Sequence, residues 1–168
     1  TTGDKEGDII EQRDVPEISQ QKIEQTLRDF IGVISQVPPM YSALKHQGKP
    51  LYHYARKGEV IERKPREITI FSLELLSLEL PHVTVRVHCS KGTYIRTLAQ
   101  DIGETLNVGA HLSALRRTGA APYNSLPMYP LDQFLDNEPD DSLLLPSDSA
   151  ISTWPEFTLD EAQVTILF

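Results

Sequence analysis

The chain has 168 residues, 39% of them hydrophobic and 24% charged, which suits one well-filled core and little more. A single cysteine, Cys89, excludes an intrachain disulfide and makes a reducing cytoplasm the expected setting. No stretch nears the roughly 20 apolar residues of a membrane helix, and a net charge of −8 argues at first against a polyanionic partner.

The opening, Thr1-Thr2-Gly3-Asp4-Lys5-Glu6-Gly7, is polar and lacks an initiating Met, so it reads as neither signal peptide nor anchor and points to a fragment or a processed chain. Gly7 followed by Asp8-Ile9-Ile10 predicts a turn and a short strand. Pro16 and Ser19 set up a helix, with the Ser19 side chain as N-cap. Ile23, Leu27, Phe30, Ile31 and Ile34 recur at helical spacing on one stripe, which Gly32 and Pro38-Pro39 close. Pro38 to Lys45 should begin extended, because each proline restricts its predecessor. A short helix is predicted from about Pro50 to Lys57, with Leu51, Tyr54 and Ala55 on one face. Pro50 suits its first turn, Gly58 its C′ position, and Arg56 and Lys57 the negative end of its dipole.

Charge is concentrated here. From Lys45 to Arg66 seven basic residues stand against two acidic ones, a net of +5 that leaves −13 for the rest of the chain. Tyr41, Tyr52 and Tyr54 interleave with this run, as on a surface that stacks bases and contacts phosphates. A solvated charged loop is the alternative, and Tyr54 competes as a core residue of the short helix. Leu131 to Phe168 holds nine acidic residues and neither Lys nor Arg.

Two strands follow, Glu67 to Ser77 and Val83 to Cys89. In the second, Val83, Val85, Val87 and Cys89 alternate with polar residues, as in a half-buried strand. Pro81-His82 lies between them, predicting an antiparallel hairpin. A break at Lys91-Gly92 leads into a helix from about Thr93 to Leu106, with Ile95, Leu98, Ile102 and Leu106 on its apolar face. Ala110 to Arg117 alternates again and predicts a strand bearing His111, Ser113, Leu115 and Arg117 on one side. Leu131 to Leu135 suggests a short helix, Asn137 to Asp141 a polar linker, and Leu159 to Phe168 a further helix. The whole predicts an α+β domain with a largely antiparallel mixed sheet flanked by helices.

Few residues invite chemistry. Lys91, Thr93 and Arg96 at a helix N-terminus make either an anion site or an ordinary strand-to-helix turn. One cysteine and five histidines cannot build a Cys-rich zinc site, and adjacent His88 and Cys89 point to opposite faces of a strand, so no metal is expected. Cys89 reads as a small buried hydrophobe. Asp101 and Glu104, three apart on a helix, read as solvent-exposed or helix-end carboxylates before an acid–base pair. No phosphate-cradling glycine loop is present.

Pro38-Pro39-Met40-Tyr41-Ser42-Ala43-Leu44-Lys45, Gly48-Lys49-Pro50-Leu51-Tyr52 and Tyr54-Ala55-Arg56 resemble the RNA-clamping insertion of the TruB-type pseudouridine synthases. Cys89-Ser90-Lys91-Gly92-Thr93-Tyr94-Ile95-Arg96, with Asp101, Gly103 and Glu104, resembles that family's downstream active-site motif. Gly109-Ala110-His111-Leu112 and Leu115-Arg116-Arg117-Thr118 are similar to the strand after it. The likeness is collinear from Gly3 to about Phe134. Leu145-Pro146-Ser147-Asp148-Ser149-Ala150 and Phe157-Thr158-Leu159 are similar to the beginning of the family's small PUA-like RNA-binding domain.

The resemblance implies a pseudouridine synthase catalytic fold over residues 1–142, with the clamp at about 38–66, and the start of a PUA-like β domain over 143–168. It implies isomerisation of a uridine at position 55 of the tRNA T-arm loop to pseudouridine, with the base flipped out of its stack. The reaction is redox-neutral, so no cofactor is expected. Arg96 would pair with the family's catalytic aspartate, Tyr94 and Leu115 would line the uracil pocket, and Lys45, Lys49, Arg56, Lys57, Lys91 and Arg117 would contact RNA. The partner would be the tRNA T arm, and the intact protein a monomer in the cytoplasm. One departure stands out. The family's aspartate lies in a Gly-x-Leu-Asp-x-x-Ala-Thr-Gly motif, upstream of the segment resembling Thr2-Gly3-Asp4, and these 168 residues contain no such motif. The family's base-stacking tyrosine is upstream too. The expectation is an incomplete sheet with exposed, aggregation-prone edges and a chain inactive by itself, with a non-catalytic RNA-binding module as the alternative.

Overall fold

A computed structural model describes residues 2–132 and 141–160. The chain divides into two compact units, Thr1–Leu115 and Arg116–Phe168. In the first, the order is α1 (Gln20–Asp29), β1 (Gly32–Gln36), β2 (Lys45–His46), β3 (Lys49–Pro50), α2 (Leu51–Ala55), β4 (Arg66–Glu79), β5 (His82–Cys89) and α3 (Ile95–Thr105). The strands form an antiparallel sheet ordered β1-β4-β5 and a separate β2-β3 ribbon, so the unit is α+β as its sequence predicts.

The core lies between one face of the three-stranded sheet and helices α1 and α3. Ile23 and Leu27 of α1, Ile68, Ile70 and Leu73 of β4 and Leu98 of α3 are buried together. Ile70 is fully enclosed, and burial of one such side chain stabilises by about 2 kcal/mol. Strand β4 contributes Ile68, Ile70, Leu73, Leu75 and Leu78, a spacing that alternates between two and three residues. A regular strand keeps a period of two. The register with β5 explains the longer steps, because Phe71 and Leu76 are each an extra residue in a bulge. On β5, Val85, Val87 and Cys89 pack inward, with Cys89 among apolar neighbours as expected.

The Ser19 side chain accepts the Lys22 N–H at 3.3 Å, the predicted N-cap. The helix stops sooner than expected, however. Asp29 is its last residue, Gly32 takes φ +113°, and the chain enters β1, where Ile34 packs on the core from a strand. Two further expectations fail. Asp8 to Ile10 is no strand, and Ile9 and Ile10 are exposed. Ala110 to Arg117 is no strand either. Its ladder is limited to the Lys5 N–H donating to the Leu112 carbonyl and the Leu112 N–H donating to the Gly3 carbonyl. Alternation marks a segment able to pair, but a strand also needs a neighbouring backbone of matching length.

The hairpin of β4 and β5 and helices α2 and α3 stand where predicted, within a few residues. Gly58 at φ +75° follows α2, and the Glu59 N–H donates to the Tyr54 carbonyl, as in a glycine-terminated helix. In the second unit, turns at Asp141–Leu143 and Ser149–Ile151 are the regular elements among the described residues, and the Tyr123 and Ser149 hydroxyls share a hydrogen bond of 3.1 Å. The helices expected at Leu131 to Leu135 and Leu159 to Phe168 fall largely outside the described residues. No described helix is long and apolar enough to cross a membrane.

Gly103 fixes how α3 hands over to the segment after it. The Val108 and Gly109 N–H groups both donate to its carbonyl at 3.0 Å. A Cβ at this position would run into the backbone of Gly109 and Ala110 and stand 2.6 Å from the Ala110 Cβ. Gly103→Ala should therefore destabilise the protein by about 3 kcal/mol, read as a lower urea midpoint at unchanged m-value.

Candidate functional site

Strand β5 ends at Cys89 and α3 begins at Ile95, so five residues carry the chain from sheet to helix. Directional polar contacts hold that crossing. The Ser90 N–H donates to the Thr69 carbonyl at 2.8 Å, and the Thr69 N–H donates to the Ser90 hydroxyl at 2.9 Å. The Thr93 hydroxyl donates back to the Ser90 carbonyl at 2.9 Å, and Gly92 takes φ +84°. Lys91 is exposed in this turn, and Thr93 is engaged within it.

Tyr94 follows in an extended conformation and is held by a residue that sequence reasoning missed. Gln36, at the end of β1, is only 2% exposed. Its Oε1 accepts the Tyr94 N–H at 2.8 Å and its Nε2 donates to the Tyr94 carbonyl at 3.1 Å. Once residues 32–36 are read as a strand, Gln36 falls on the same face as Ile34, and a polar residue at a core-facing position signals a buried partner. The helical reading of Ile34 hid that signal.

Arg96 stands in the first turn of α3, partly buried. Its guanidinium donates to the Tyr41 carbonyl at 2.7 Å and to the Thr2 carbonyl at 3.3 Å, joining the segment before β2 and residue 2 to the helix. Both acceptors are neutral, and among the described residues no carboxylate stands within ion-pair distance of Arg96. A guanidinium has five N–H donors, so these two bonds leave capacity for another acceptor. Arg96 lines a cavity of about 350 Å³ with Asp4, Lys5, Leu112, Ser113, Ala114 and Leu115. Arg96 and Leu115 both line this cavity. Asp4 and Lys5, which sequence reasoning left unassigned, share the cavity. Tyr94, two residues before Arg96, is outside the lining and partly buried.

The basic residues form a different surface. Residues Gln47, at φ +48°, and Gly48, at φ +80°, turn the chain between β2 and β3, a tight hairpin that places Lys45 opposite Pro50 and His46 opposite Lys49. Helix α2 leaves the hairpin directly. Lys45, Lys49, Arg56 and Lys57 are all exposed, as is Arg117 on the second unit. Tyr54 takes the structural role. Its hydroxyl donates to the His46 carbonyl at 3.1 Å, and its ring meets the His46 ring edge-on, tying α2 to the ribbon. The Arg56 guanidinium lies 5.3 Å from the centre of the Tyr52 ring, close enough for cation–π attraction.

Asp101 and Glu104 do not act together. The Glu104 carboxylate accepts from Arg13 at 3.1 Å, while Asp101 is partly buried. That burial raises the Asp101 carboxyl above its ordinary range. The folded state therefore holds its proton more tightly than the unfolded state, and stability falls as pH rises from the ordinary carboxylate value through the raised one. Asp101→Asn should melt higher than the native protein at about pH 7, and the gain should vanish at about pH 3, where both side chains are neutral. Thermal unfolding at the two pH values checks this.

Among the described residues no group of three His, Cys, Asp or Glu side chains could hold a metal ion. Residues 1–95 match the family model described as TruB family pseudouridylate synthase (N terminal domain), and residues 96–152 match that of the tRNA pseudouridylate synthase B C-terminal domain. The chain is 51% identical over 168 residues to a tRNA pseudouridine synthase B from Burkholderia mallei (strain NCTC 10247), covering 98% of this chain and 55% of that protein. It is 50% identical to one from Mannheimia succiniciproducens, covering 96% and 55%. Among solved structures, it is similar to a chain of a Cbf5-Nop10-Gar1 complex, with a TM-score of 0.52 and 34% identity over 66% of this chain and 28% of the other. The chain spans about half the length of the curated relatives it matches.

Proposed function

We propose that the chain, which belongs to the TruB family of pseudouridylate synthases, forms part of an enzyme that isomerises uridine 55 in the T-arm loop of tRNA to pseudouridine. The observation that carries this reading is Arg96. Its guanidinium borders a cavity shared with Leu115 and is tied down by two neutral carbonyls, with no carboxylate among the described residues within ion-pair distance. An anchored cation with unused donors suits a catalytic aspartate as partner, holding its carboxylate in one orientation while the flipped uracil occupies the cavity. Leu115 and Tyr94 would bound that base. The exposed cations Lys45, Lys49, Arg56 and Lys57 on the β2-β3-α2 clamp, with Lys91 and Arg117, would contact the RNA backbone, which positions the substrate without reading its sequence.

The reaction breaks the C–N glycosidic bond, turns the uracil and rejoins it through carbon. It is neutral in electrons and needs no redox cofactor. The reading brings with it a cytoplasmic setting and a monomeric intact protein. Because the Gly-x-Leu-Asp motif is absent from these 168 residues, the chain by itself should bind RNA without forming pseudouridine, and only the intact protein should turn over.

Two outcomes test the roles. In the intact protein, Arg96→Ala should reduce pseudouridine formation at least about a hundredfold while leaving tRNA affinity within about threefold, since the lost contact orients the reacting groups. Turnover at the native rate would remove Arg96 from the mechanism. Replacing both Lys45 and Lys49 with Ala should make the dependence of log K on log salt shallower by about 1 to 2, the release expected of two phosphate contacts. An unchanged slope would place those lysines off the RNA.

A further inference from the structure

We infer that Gln36 is a positioning residue for this reaction, setting the aim of Tyr94 and Arg96 through its two-point bond to the Tyr94 peptide. The inference rests on the pseudouridine-synthase reading and adds to it a residue far from the motif in sequence. Gln36 is almost wholly buried, yet a primary amide is a poor filler of apolar space, because its oxygen and nitrogen must be matched. Both are matched on one residue. Oε1 accepts the Tyr94 N–H and Nε2 donates to the Tyr94 carbonyl, so the side chain offers Tyr94 what a neighbouring strand would offer. The partners also fix which amide atom is oxygen and which is nitrogen.

What this clamps is the start of α3. Tyr94 is the N-cap, at φ −96° and ψ 106°, and its side chain makes no capping bond. Its carbonyl also receives the Leu98 N–H at 3.0 Å, the first bond of the helix. Fixing the plane of that carbonyl therefore fixes where the first turn begins. Arg96 lies two residues further on, and its guanidinium meets the Thr2 and Tyr41 carbonyls on two other segments. An unheld Tyr94 peptide would let Arg96 swing with the end of the helix, and small misplacements of this kind slow catalysis without weakening binding.

The test compares Gln36→Leu and Gln36→Glu with the native intact protein, measuring kcat, KM, tRNA affinity and melting temperature. Gln36→Leu keeps much of the volume and removes both bonds. Its kcat should fall about ten- to a hundredfold while tRNA affinity stays within about twofold. Gln36→Glu carries the more specific signature. As a neutral acid its O–H can donate to the Tyr94 carbonyl while its other oxygen accepts the N–H, so the clamp closes. As a carboxylate it faces that carbonyl with like partial charge, and the clamp opens. The ratio of Gln36→Glu to native kcat should therefore climb at least about fivefold as pH falls from about 8 to about 5.5, the range in which a buried carboxyl takes up its proton. A space-filling role would leave the ratio flat. A flat ratio overturns the proposal, as does a folded Gln36→Leu protein with native kcat. Should Gln36→Leu fail to fold, the Gln36→Glu ratio decides. Native protein and Arg96→Ala in the same assay separate the claims. An inactive native protein would remove the function and the clamp together. Active native protein, inactive Arg96→Ala and Gln36 variants at the native rate would remove the clamp alone.

Discussion

Between the last residue of β5 and the first turn of α3 the chain must leave a sheet, reverse and start a helix within five residues. Apolar packing alone cannot specify such a crossing, because the hydrophobic effect has no direction. Hydrogen bonds supply it. Ser90 is paired to Thr69 on one side, Thr93 folds back onto Ser90, Gln36 holds both backbone groups of Tyr94, and Arg96 reaches the carbonyls of Thr2 and Tyr41. Four segments distant in sequence thus meet at one short stretch. The apolar core of Ile23, Leu27, Ile70 and Leu98 sets the spacing of sheet and helices, and the polar junction then decides where the Arg96 guanidinium points. Each neutral hydrogen bond contributes only about 1 kcal/mol net, so the arrangement gains from several acting on the same few residues.

The junction is distinct from the basic surface around β2, β3 and the end of α2. Lys45 and Lys49 stand exposed on a small ribbon, and Arg56 and Lys57 just past the end of a five-residue helix that the bond from Tyr54 to the His46 carbonyl ties to the ribbon. The net charge of −8 conceals this surface, since the excess of acid lies elsewhere along the chain. The two are still linked, because the Tyr41 carbonyl, four residues before β2, is an acceptor for Arg96.

Much of this was legible in the residues, for reasons that can be named. Ser19 is a cap because a hydroxyl there reaches a free N–H, and Gly58 ends α2 because its positive φ strains other residues. Strand β5 was plain from strict alternation. What escaped depended on partners. Ile34 has helical spacing from Ile23 and Leu27, but Gly32 breaks the helix and β4 offers β1 a matching edge, so tertiary pairing overrode the local pattern. Ala110 to Arg117 alternates well, but among the described residues its backbone pairs only with residues 3–5. The β2-β3 ribbon was missed because its strands are two residues long, too short for any period to show. Arg96 is marked by its place at a helix N-terminus and Leu115 by a family likeness, and both line one cavity. Gln36 has no motif, and its partner lies 58 residues away.

The closeness at Gly103 has a consequence for how sequences of this kind can drift. The α3 backbone there lies against Gly109 and Ala110 with no room for a methyl group, and the segment leaving that contact carries Leu112 to Leu115 to the cavity wall. A larger residue at 103 is accessible only if the path of 109–110 moves with it, and that movement would drag the cavity wall along. The positions are therefore coupled sterically. Enlarging residue 103 while 109 and 110 stay in place should cost stability, because their backbone occupies the space the new side chain needs.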